Sequence, residues 1–120
     1  MALITVYRVE SEFGVGPYKG GGEEKLRKKL NKHCASTGRP GPFTDGINIY
    51  DFVKFDYFFG FDSPTKLKKW FHGSLTALRE SGYVMSVYEV DISDVLFSKS
   101  KAQIAFVKKL ANPVKSVRIP

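Results

Sequence analysis

With 120 residues, 42 % of them hydrophobic, the chain can build one domain with a real core but not two. No apolar run reaches the roughly 18–20 residues of a membrane-spanning helix, and a single cysteine, Cys34, excludes an internal disulfide and a cysteine-based zinc site. Nineteen Lys and Arg against twelve Asp and Glu leave a formal charge of +7, which is either a soluble basic surface or attraction to nucleic acid, a phosphorylated ligand such as a dinucleotide, or an acidic protein.

The opening MALITVYRVE is too short and too interrupted for a signal peptide and reads as a first strand over residues 2–10. Leu3, Thr5, Tyr7 and Val9 fall on one side of it, Ile4, Val6, Arg8 and Glu10 on the other. Arg8 follows apolar positions on its own face. It suits either a rim salt bridge with Glu10 or another carboxylate, or a ligand contact at the end of a strand.

Residues 13–22 hold five glycines. Such a loop either brings backbone N–H groups to a phosphate or is flexible surface, and it carries neither a P-loop nor a GxGxxG fingerprint. Residues 23–34 read as a helix, acidic at its start and basic later, docking by Leu26 and Leu30. Lys25, Arg27, Lys28, Lys29 and Lys32 form its cationic face. Residues 35–46 are a loop by composition, in which Arg39, Phe43, Thr44 and Asp45 are candidates for a lid or partner contact.

From Val53 to Phe61 aromatic and polar residues alternate, the period of a strand. Ser63 and Pro64 then start a helix, with a hydroxyl cap and a proline at the first helical position. Leu67, Trp70 and Phe71 form its apolar stripe, while Lys66, Lys68 and Lys69 make a second basic face. Gly73 and Ser74 can punctuate this helix, Leu75 and Leu78 continue it, and Gly82 ends it. Residues 83–90 are apolar on both faces, as in a central strand. A turn at 91–94, a short strand at 95–97, a polar link at 98–101, and closing strands at 102–108 and 114–119 complete the chain. Asp94 is its last acidic residue, so Lys99, Lys101, Lys108, Lys109, Lys115 and Arg118 form a wholly cationic final quarter.

These elements predict an α+β fold over residues 1–120, a mixed, mostly antiparallel sheet of about five to seven strands with two or three packed helices. Familiar catalytic signatures are missing. There is no GxSxG elbow, and His33 and Cys34 are neighbours on a helix end, where adjacent side chains point apart. Neither His33 nor His72 has metal-ligand spacing, so no metal site is expected. Glu89 and Asp91 read as a surface pair. Tyr57, Phe59 and Tyr88 lack an RNP pattern and read as core.

The layout resembles a family. A first strand ending in Tyr-Arg, a loop with Gly-Pro-Tyr, the run FGFDSPTKLKKWF, a YEV strand and a late KAQIAFVKKLANPVKSVRI are similar to small ADP-ribosyltransferase-like proteins of phage or mobile-element type, in which a split β-sheet cradles NAD. The resemblance implies NAD as cofactor and a ligand site of Tyr7, Arg8, Gly16, Tyr18, Ser63 and Thr65. In it Arg8 contacts the NAD phosphate or ribose, and Ser63-Pro64-Thr65 shapes the nicotinamide pocket. Gln103 stands where the family places its catalytic glutamate, making Gln103 and Arg8 the implied catalytic pair. A glutamine keeps hydrogen bonding but loses the charge that stabilises an oxocarbenium-like transition state, which favours the fold without the activity.

Two functions follow as expectations. One is a small basic phage-type binding protein in the host cytoplasm. It would engage an acidic host protein, nucleic acid or nucleotide through its lysine-faced helices and alter a host process such as defence. The other is an NAD-dependent ADP-ribosyltransferase.

Overall fold

Three strands form the sheet on which the rest is assembled. In the computed structural model, which describes residues 2–11, 14 and 57–119, β1 (Leu3–Glu10), β3 (Val84–Asp91) and β6 (Asn112–Arg118) make an antiparallel sheet in the order β1-β3-β6. A second antiparallel sheet, ordered β2-β5-β4, is built from β2 (Tyr57–Gly60), β4 (Val95–Phe97) and β5 (Ile104–Val107). Two helices, α1 (Pro64–Trp70) and α2 (Leu75–Glu80), lie between β2 and β3 in the chain. The fold is α+β, as the sequence predicts, with every described strand pair antiparallel. The glycine loop apart from Gly14, the helix expected at 23–34, the loop at 35–46 and the start of the strand expected at 53–61 lie outside the described residues. So do Gly16, Tyr18, Lys25, Arg27, Lys28, Lys29 and Lys32.

The strands divide into two sheets where the elements alone predict one, and the two meet beside Gly60. The first sheet touches the second at a bridge between Tyr7 and Phe61, whose backbones exchange two hydrogen bonds of 2.8 Å. A Cβ at Gly60 would meet Val6 Cγ1 at 2.8 Å and the Tyr7 carbonyl at 3.1 Å. The missing side chain lets β2 cross β1 at this range.

Alternation along β1 and β3 then serves two apolar layers. Val9 and Met85 pack with Phe61, Leu67, Phe71 and Leu78 on the helical side, where Phe61 meets Trp70 and Phe71 at ring separations of 5.9 and 6.0 Å. Val6, Tyr88 and Val90 pack with Val95, Ile104 and Phe106 on the side of the second sheet. Serving both layers makes β3 the central strand that its two apolar faces predict.

Local signals set the helix limits. The Ser63 hydroxyl accepts from the Lys66 N–H at 3.1 Å, and Pro64 follows at the first helical position. Gly73, at φ +89°, separates α1 from α2, and Gly82, at φ +88°, ends α2. The closing strands shift from their expected limits. Ser98 and Gln103 close the β4–β5 hairpin through a Ser98 N–H bond to the Gln103 carbonyl, with Lys101 at φ +60°, so β5 starts at Ile104. β6 starts at Asn112, before Pro113, because an edge strand at a register irregularity tolerates a residue without an N–H. No helix among the described residues is long and apolar enough to cross a membrane.

Candidate functional site

The charged chemistry of the described fold collects around Glu10. Arg8 and Glu10 are two apart on β1 and share a face, set against Ser86 and Val84 of β3 by the antiparallel register. The Glu10 carboxylate accepts from Arg8 Nε at 3.0 Å, from Lys108 Nζ at 3.0 Å and from the Tyr88 hydroxyl. Arg8 Nη1 donates to the Phe59 carbonyl at 2.7 Å, and Lys108 Nζ donates to the Gly14 carbonyl at 3.1 Å. The Phe58 ring completes the cluster, with Arg8 Cζ 5.1 Å and Lys108 Nζ 5.3 Å from its centroid. Side chains from β1, β3 and the turn after β5 thus meet on one carboxylate, with Phe58 of β2 against the two cations.

Burial makes this network consequential, because Arg8 is 7 % and Glu10 4 % exposed. Burial pushes the Glu10 carboxyl up, yet hydrogen bonds from Tyr88, Ser86 and Lys108 and the Lys108 charge outweigh it and hold the group below its ordinary value. Burial lowers Arg8, and the Glu10 charge and hydrogen bond oppose that shift. Burial and the bond to Glu10 raise the Tyr88 hydroxyl well above the ordinary phenol range. Two cations against one carboxylate leave the cluster one positive charge in excess.

A hollow of about 190 Å³ adjoins the network, lined by Glu10 of β1, residues 86–88 of β3 and residues 113–116 of β6. It lies at the register irregularity between Val87 and Tyr88, and Ser86 and Ser116 face one another there with hydroxyls 3.4 Å apart.

The residues singled out in the sequence are spread over this framework. Of the two roles open to Arg8, the ion pair with Glu10 is present, and it is buried instead of lying at a rim. Tyr7 is half-buried and packs toward the helical layer. Ser63 caps α1, and Thr65 is exposed on that helix. Gln103 is buried, its backbone engaged with Ser98 in the hairpin. Arg8 meets Glu10, Phe58 and Phe59. Of the α1 lysines, Lys66 pairs with Asp62 at 2.8 Å, while Lys68 and Lys69 are exposed in the last turn. No group of three or more His, Cys, Asp or Glu among the described residues could hold a metal ion.

Sequence reasoning missed Lys108, Tyr88, Ser86 and Phe58 as members of the network. Lys108 lies 98 positions from Glu10, and no linear spacing marks such a pair. The usable signal was Arg8 and Glu10 themselves, charges on an otherwise apolar strand face that require buried partners.

No curated protein and no solved structure matches the chain. The family model described as bacteriophage T4 Y00F protein matches residues 1–120, and the chain belongs to that phage family.

Proposed function

We propose that this phage protein is a binding protein that engages an acidic host protein in the host cytoplasm and so alters a host process. The observation that carries the reading is the final quarter of the chain. It holds six cations and no carboxylate after Asp94, and Lys99, Lys101, Lys109, Lys115 and Arg118 are all exposed. Exposed Lys68 and Lys69 on α1 add to the same field. A protein partner is favoured over single-stranded nucleic acid because, among the described residues, Phe97 is the one exposed Phe, Tyr or Trp ring, too few to stack successive bases. Apolar Leu110 and Val114, by contrast, are exposed in sequence among the cations.

The NAD-using reading rests on the resemblance in short motifs. It needs Arg8 free for a phosphate, whereas Arg8 already serves Glu10 and the Phe59 carbonyl.

Calorimetric titration with polyglutamate, an oligonucleotide, NAD and ADP-ribose at low and moderate salt tests the proposal. Polyglutamate binding that weakens with salt is expected. Absence of polyglutamate binding at low salt rejects the acidic-partner reading, and saturable, salt-insensitive NAD binding replaces it with the NAD-using one.

A further inference from the structure

We infer that β6 is a docking edge that takes an extended acidic segment of the partner protein as an added strand. This rests on the acidic-partner reading and names where and in what form that partner binds. β6 is the outer strand of its sheet, and among the described residues nothing pairs with its far side. Six of its seven residues are exposed, and half-buried Val117 packs against the helical layer. A strand edge of this kind presents unpaired N–H and C=O groups that template another strand. Pro113 removes one donor near its start, leaving 114–118 as the stretch able to pair.

Charge selects the occupant. β6 carries Lys115 and Arg118 and no carboxylate, and exposed Lys109 precedes it. A second copy of the chain brings a second cationic edge with no carboxylate to pair, whereas an acidic strand supplies carboxylates to Lys115 and Arg118.

With side chains alternating in direction, a strand of alternating acidic and neutral residues sets its carboxylates on one face of the ladder.

The test uses fluorescence anisotropy of the whole protein with two labelled peptides of equal length and charge, a Glu-Val repeat and a Glu-Pro repeat that cannot complete a ladder. The Glu-Val repeat is expected to bind about tenfold or more tightly, and Lys115→Glu with Arg118→Glu, both exposed, is expected to abolish that difference. Hydrogen exchange over residues 112–118 slows with the Glu-Val repeat alone. Equal affinity for the two peptides, indifference to the double variant, tighter binding of an oligonucleotide, or a dimer in sedimentation that occupies this edge would each overturn the inference. Salt-sensitive polyglutamate binding that survives these failures leaves the acidic-partner reading standing without β6, whereas its loss removes both.

Discussion

Glu10 accepts from two cations and a phenol while almost wholly buried, and its removal therefore strands charge instead of freeing a surface group. Glu10→Gln leaves Arg8 and Lys108 without their counter-charge. Breaking a buried pair in this way costs about 3–5 kcal/mol, to be read from urea unfolding midpoints. The pH dependence has a definite sign. Because the folded carboxyl sits below its ordinary value, its contribution is present above the unfolded value and disappears as pH falls through the folded one. The wild type should lose stability in the acid range below 4.5, the ordinary value of the group, and Glu10→Gln should flatten that part of the profile. Tyr88 works at the other end. Its raised hydroxyl contributes below the ordinary phenol value and loses that contribution as pH rises into the strongly alkaline range. Arg8 and Glu10 were legible in the sequence as an ion pair because both stand on one strand face. Their burial was not, since it depends on Phe58, Tyr88 and Lys108 arriving from distant strands.

Among the elements, the helices and the central strand follow from local chemistry, and one close approach at Gly60 brings the two sheets together. Ser63→Ala removes the hydroxyl that caps α1 and should lower stability by about 1 kcal/mol, measured by thermal or urea unfolding. Gly60→Ala places a methyl group against Val6 and the Tyr7 backbone. Crowding of this kind costs about 1–3 kcal/mol, and the same unfolding measurement checks it. The cap, Pro64, Gly82 and the short strand at 95–97 could be read from sequence because each acts within a few residues. The two-sheet arrangement could not, since a glycine in an aromatic run does not reveal which strand will cross it. The start of β6 was misplaced for a related reason. Proline reads as a break in a central strand, but Pro113 lies on an edge, at a register irregularity.

For the whole molecule, the excess of positive charge is distributed unevenly along the chain, and its function is argued from that distribution. The buried cluster holds Arg8 and Lys108 against Glu10, while the remaining cations of the final quarter stay at the surface with no carboxylate among them. The α1 lysines were legible from helical spacing, although Lys66 is tied to Asp62. That β6 lies at a mostly exposed edge depends on strand order, which composition does not encode. The proposed binding surface is this exposed charge. The most direct test is polyglutamate affinity across a series of salt concentrations, for the wild type and for a variant with Lys109, Lys115 and Arg118 all changed to Gln. Affinity is expected to fall with salt, and to be weaker with a shallower salt dependence in the variant. Affinity that ignores salt, or is the same in both proteins, would contradict it.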